Sequence, residues 1–162
     1  MSTRGSTCCV IYGARNQLLN PRTARVPTVD ERRLVVLDSS VGAKWIKPEP
    51  GREQARDLLV AHREGRARIV VAAHFVHELV GVAVRHGGAA LGEQVWASLR
   101  KADLTVVGLD DAIAAAAFEQ CRLLGCSFYD ALAPALAELL GTTLYSADVR
   151  AHERFPGAEI VG

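Results

Sequence analysis

The chain has 162 residues, 49% hydrophobic and 23% charged, with a formal net charge of +1. A chain of this length supports one domain that buries roughly 70% of the surface its unfolded form exposes. Its hydrophobicity excludes a disordered protein, and no charge-free apolar run of ~18 residues is present to form a membrane span. The near-neutral total also lacks the strongly basic footprint usual for nucleic-acid binders. The total hides a split, however: residues 1–33 hold six arginines against two acids, whereas residues 34–162 hold 13 bases against 16 acids. The first stretch mixes Gly, Ser, Thr, Pro and Arg without a period, and reads as a flexible or non-native N-terminal extension. Residues 34–162 read as the folded domain.

The regular pattern starts with Leu34-Val35-Val36-Leu37, a short apolar run suited to a strand buried on both faces, ending in Asp38. Ser40 to Ile46 predicts a helix, broken by Pro48 and Pro50. Arg52 to Arg63 predicts an amphipathic helix with Ala55, Leu58, Leu59 and His62 on one face. Ile69-Val70-Val71 is the second strand. His74 to Arg85 predicts a helix stopped by Gly87-Gly88, and Leu91 to Arg100 another. Leu104 to Val107 is the third strand. Asp110 caps a helix that runs to Leu124, with Gly125 beyond its end. Ser127 opens the next helix, which ends near Leu140-Gly141. Thr143 to Ser146 is a fourth strand and Glu159 to Val161 a fifth. Short strands alternating with longer helices predict a parallel sheet covered on both faces, with ligands beyond the carboxyl ends of its strands.

Cysteine and histidine carry no signal. Cys8, Cys9, Cys121 and Cys126 form no Cys-x-x-Cys pair, and none of the five histidines stands at a zinc spacing from them. Nor does the N-terminal stretch have a secretory h-region, so a reduced cytoplasm is the expected setting.

Four carboxylates carry more. Asp38 and Asp148 each close an apolar strand, and each also suits the N-cap of a short following helix. Glu78 is surrounded in sequence by Val76, Leu79, Val80 and Val82, where a carboxylate is costly unless paired or metal-bound. The competing reading is a plain ion pair with Arg85, which stands seven residues on, two turns away and beyond the usual reach of such a pair. Asp130 is the third residue after Ser127, the spacing of a capping box, which would set it at a helix start. Four carboxylates sharing one cleft repel one another unless cations neutralise them. Oxygen-only ligands suit Mg²⁺ or Mn²⁺, and such ions can activate water against a phosphodiester.

The ordered set Val35-Val36-Leu37-Asp38-Ser39-Ser40-Val41 with Lys44-Trp45, His77-Glu78-Leu79-Val80, Ser127-Phe128-Tyr129-Asp130-Ala131-Leu132 and Ser146-Ala147-Asp148 resembles PIN-domain ribonucleases. Within them, it is similar to the VapC-type toxins of bacterial toxin–antitoxin pairs, over residues 34 to about 161. The resemblance implies a three-layer α/β/α sandwich with a central parallel sheet and a Mg²⁺ or Mn²⁺ site that cleaves RNA endonucleolytically. It assigns Asp38, Glu78, Asp130 and Asp148 to metal binding and catalysis, with Ser146 as the small hydroxyl residue near them. It further implies a homodimer silenced by a VapB-like antitoxin, whose C-terminal segment lies in an apolar groove, with Trp45, Ile46, Leu58 and Leu59 as groove or core residues. Lys44, Arg150 and Arg154 are the candidate bases for substrate phosphates. The chain departs from the family pattern at Gly81, where Asn is frequent, and at Pro134, which would kink its helix and cannot donate to the Asp130 carbonyl. Two alternatives compete: a catalytically weak PIN-like module that binds RNA or protein, and an unrelated α/β phosphohydrolase with Asp38 as nucleophile. The latter usually wants a second Asp at the position of Ser40.

Overall fold

The computed structural model describes residues 33–162; the expectation for the N-terminal stretch lies outside them, except at Arg33. In chain order the elements are β1 (Arg33–Leu37), α1 (Ser39–Ile46), α2 (Arg52–Arg63), β2 (Ala67–Ala72), α3 (Ala73–Ala102) and β3 (Thr105–Val107). They continue with α4 (Asp111–Leu124), α5 (Phe128–Leu140), β4 (Thr143–Ser146), α6 (Val149–His152) and β5 (Ala158–Ile160). The five strands form one sheet in the order β3-β2-β1-β4-β5, and every pairing is parallel. Among the described residues, no single helix is long and apolar enough to cross a membrane.

The two-residue period of a strand sorts the apolar side chains between two layers. Val35 and Leu37 of β1, Ile69 and Val71 of β2, and Tyr145 of β4 face one way. There they meet Val41 of α1, Ala55 of α2, and Phe75 and Leu79 of α3. Val36, Val70, Ala72 and Leu144 face the other way, onto Ile113 and Ala117 of α4 and the run Ala131 to Ala137 of α5. The result is the three-layer α/β/α sandwich with a parallel sheet in its middle. Residues Ala131 through Ala137 are all buried, so α5 is apolar around its whole circumference there. Pro134 is among them, and α5 continues past it to Leu140.

The helix expected to stop at Gly87-Gly88 does lose its backbone geometry there: Gly88 has φ 72° and ψ −175°, a region that essentially only glycine occupies. The two predicted helices are the halves of α3. α6 is the short helix that the alternative reading of Asp148 as an N-cap allowed, a single turn started by that cap. Trp45, Ile46, Leu58 and Leu59 all pack against the first core layer. Trp45 donates its indole N–H to the Ala55 carbonyl at 2.8 Å and meets Phe75 edge-on at 5.9 Å. Their role in the fold is to seal α1 and α2 to the sheet. His62 does the same at the rim, with Nδ1 accepting from the Ile69 amide at 3.2 Å and Nε2 facing the Ala102 carbonyl at 2.9 Å.

α1 crosses α3 at a point where side chains leave no room. A Cβ on Gly42 would lie 2.7 Å from Phe75 Cζ and 2.8 Å from both Leu79 Cδ atoms, in the interior of the first layer. Gly42→Ala is therefore expected to destabilise the fold by about 1–3 kcal/mol, the range for overpacking a close-packed core. Urea unfolding checks it: the midpoint should fall at unchanged slope, whereas an unaltered midpoint would mean that α1 and α3 are not held this close.

Candidate functional site

The carboxyl ends of β1 and β4 are adjacent, and the first carboxylate follows directly. Asp38 comes one residue after β1, with its amide donating to the Tyr145 carbonyl at 2.9 Å as the last rung between these strands. It is only 6% exposed. It also caps α1, as its alternative reading had it: Oδ2 accepts from the Ser40 amide at 2.9 Å and from the Ser40 hydroxyl. Asp148 likewise caps α6, accepting from the Ala151 amide at 3.1 Å. In Asp130 the capping box closes through the hydroxyl: Ser127 Oγ accepts from the Asp130 amide at 3.2 Å and donates to Asp130 Oδ2 at 2.7 Å. For Asp38 and Asp148 one carboxylate oxygen caps the helix start and leaves the other available, and for Asp130 the bond from the Ser127 hydroxyl likewise occupies one oxygen only.

Asp38, Glu78, Asp130 and Asp148 all line a single cleft of about 540 Å³, together with Ser40, His74, His77, Arg85 and Tyr129. No ion pair joins any of the four carboxylates to a described residue. The reason given for Glu78 needs correcting, because its side chain is exposed and faces the open cleft rather than apolar surroundings. The apolar neighbours in its sequence point elsewhere: Leu79 is buried in the first core layer.

The cleft also contains groups that the sequence did not assign to it. Arg85 is one; two turns along α3 from Glu78, it lies on the same wall of the cleft. A Cβ on Gly81 would come within 3.3 Å of its Nη1, so the absence of a side chain there leaves room for the guanidinium. Tyr129, 66% exposed, stands beside Asp130 at the rim. Of the bases expected near phosphate, Lys44 is excluded: it is buried and its Nζ donates to the Pro50 carbonyl at 2.6 Å. Arg150 and Arg154 are exposed, but neither lines the cleft.

His74 reports on the charge of the site. Burial holds its imidazole below the usual 6.5, against the pull of Glu78, Asp38 and Asp130, which favour the charged form. Its Nδ1 is buried without a hydrogen-bond partner among the described residues. Chemically, the cleft offers carboxylate and hydroxyl oxygens and one guanidinium, which fits a hard divalent cation. Among the described residues, no group of three or more His, Cys, Asp or Glu side chains is close enough together to hold an ion alone. The arrangement suits a cation that retains part of its water shell and binds through one or two carboxylates. Cysteine chemistry has no support, because Cys126 is pushed to a higher pKa by burial.

Comparison with known proteins agrees with this geometry. The PIN domain profile matches residues 35–157. The chain belongs to the PIN-domain family. Solved structures with the same fold include a toxin–antitoxin complex from Klebsiella pneumoniae, at 13% identity and a TM-score of 0.63, covering 79% of this chain and 98% of that one. DNA-bound VapBC from Salmonella typhimurium matches at 20% identity and a TM-score of 0.61, over 79% of this chain and 96% of that one. VapC20 of Mycobacterium tuberculosis, a toxin that cleaves the sarcin–ricin loop, matches at 19% identity and a TM-score of 0.57, over 70% and 89%. No curated protein matches the chain.

The lowered pKa of His74 gives the fold a pH dependence of definite sign. Below 6.5 an unfolded chain takes up a proton on this ring, while the folded protein does so only at a lower pH. Stability contributed by the neutral ring is thus lost as pH falls through that window. In EDTA-treated protein, ¹H–¹⁵N spectra should place the His74 titration below 6.5. A titration at or above that value would mean that the carboxylates, not burial, dominate its environment.

Proposed function

We propose that the chain is a Mg²⁺- or Mn²⁺-dependent endoribonuclease and the toxin of a VapBC-type pair, hydrolysing RNA phosphodiester bonds with metal-activated water. The observation that carries this reading is the convergence of Asp38, Glu78, Asp130 and Asp148 on one cleft, with no ion pair to a described residue. Membership of the PIN-domain family supports it, as does the likeness in fold to VapC toxins, one of which is a sarcin–ricin loop nuclease.

Asp38 and Asp148 would hold the ion, and Glu78 and Asp130 would complete its shell or orient the attacking water. When bound, such an ion lowers the pKa of water toward neutrality and screens the charge that develops on the phosphate. Ser40 fixes Asp38 by giving its hydroxyl proton and its amide to the same oxygen, which leaves Oδ1 free for the cleft. Arg85 supplies the positive charge that Lys44 cannot, and its fork of donors suits a phosphate. The expected partners are an RNA substrate, a VapB-like antitoxin and a second copy of the chain. The antitoxin draws on the toxin–antitoxin complexes that share its fold, and the RNA on the sarcin–ricin loop toxin that does so too.

Purified protein incubated with structured RNA should cleave it in Mn²⁺ and not in EDTA. Asp38→Asn should lower the rate by more than about 100-fold, the upper end of what changes behind a metal ligand cost. Cleavage that persists in EDTA or in the variant would sink the metal-site reading. Retention of RNA without cleavage would favour a binding module, and a phosphoryl adduct on Asp38 would favour the phosphohydrolase.

A further inference from the structure

His152 was no part of the expected site, yet it lies at the junction of the segments that carry the aspartates. It is 1% exposed and its partner Ser146 is fully buried, so their polar atoms must find partners inside the protein. His152 Nε2 lies 2.8 Å from the main-chain oxygen of Asp130, and its Nδ1 lies 2.7 Å from Ser146 Oγ. A carbonyl oxygen can only accept, so Nε2 carries the proton. In the neutral ring Nδ1 then accepts from the Ser146 hydroxyl.

The Asp130 carbonyl has a reason to need this donor. In an α-helix it would accept the amide hydrogen four residues on, which here belongs to Pro134, a residue with none to give. Proline in the middle of a fully buried helix turn would leave that carbonyl unsatisfied, and an unpaired buried acceptor is costly. The imidazole fills the gap. From there the connections continue: Ser146 Oγ accepts from the Asp148 amide at 3.0 Å, and Ser40 Oγ, bonded to Asp38, accepts from the Ala147 amide at 2.9 Å.

We propose that His152 is a positioning residue whose Nε2–H replaces the amide hydrogen that Pro134 withholds from Asp130, tying the α5 start to the segment after β4. Asp130 and Asp148 are thereby set at a fixed separation, and Asp38 is linked to the same segment through Ser40. As regards metal placement the inference rests on the nuclease reading; as regards the carbonyl it rests on geometry alone.

The test is a double-variant cycle on the full chain: wild type, His152→Ala, Pro134→Ala and both together, with His152→Gln as the replacement that keeps an amide donor. Pro134 is fully buried, so its substitution has a cost of its own, which the cycle subtracts. Long-range ¹H–¹⁵N spectra should show the Nε2–H tautomer at His152 with a slowly exchanging proton. His152→Ala should weaken Mn²⁺ binding, read by calorimetry, by about 10- to 100-fold, and His152→Gln by less. Adding Pro134→Ala, which restores an amide to the helix, should recover much of that loss. The inference is overturned by an Nδ1–H tautomer, or by a His152→Ala loss of the same size with and without Pro134→Ala. It also falls if His152→Ala unfolds more readily yet binds Mn²⁺ within about twofold of wild type, a purely structural role. Should His152→Ala fail to fold, His152→Gln with and without Pro134→Ala decides by the same criteria. A wild type that neither binds Mn²⁺ nor cleaves RNA sinks the nuclease reading and the metal-placing role with it, whereas Mn²⁺ binding with the wrong tautomer sinks the inference alone.

Discussion

β1 is hydrogen-bonded on both sides, to β2 and to β4, and the chain passes from β3 over to β4 on its far side. That reversal of strand order opens a crevice beyond the carboxyl ends of β1 and β4. Asp38 follows one strand and Asp148 the other, so two acids far apart in sequence are brought together by backbone pairing alone. α5 lies across the sheet by virtue of its all-round apolar stretch, and its first turn delivers Asp130 to the same place. Glu78 arrives from the opposite layer on the first turns of α3, whose Phe75 and Leu79 are locked under α1. Once the sheet order is set, no part of the site needs a long or irregular loop.

The acids also serve the helices that hold them. A carboxylate at a helix start satisfies amides that would otherwise lack partners. Asp38 and Asp148 do so directly, while Asp130, in the first turn of α5, is held by the hydroxyl of the Ser127 cap. The fold therefore fixes these three side chains before any ligand is considered. Glu78 has no such support, and it is the most exposed of the four.

The sequence disclosed what depends on local pattern. The apolar tetrapeptide before Asp38, the caps at Asp110 and Ser127 and the glycine stops each act through neighbouring residues, and each element they predict is present within a residue or two. The four acids were readable because each sits at an element boundary or within a recognisable run. What escaped depends on contacts across the fold. Lys44 reads as a free base beside a strand end, but the turn at Pro50 folds over it and takes its ammonium. Glu78 reads as buried because its neighbours are apolar, although helical geometry points them to other faces. Pro134 could be read as an awkward residue; that His152, 22 residues beyond Asp130, supplies the missing donor could not.

The two charged groups that α3 contributes to the cleft differ in sign and in height. Glu78 and Arg85 share one helix face seven residues apart, which is ~10 Å along the axis. The cleft thus has an acid end and a basic end, and its two ends are not interchangeable. An anionic group in it meets attraction at one end and, without an intervening cation, repulsion at the other. That asymmetry divides the cleft into a stretch where the protein alone can hold an anion and a stretch where an anion enters only with a cation beside it.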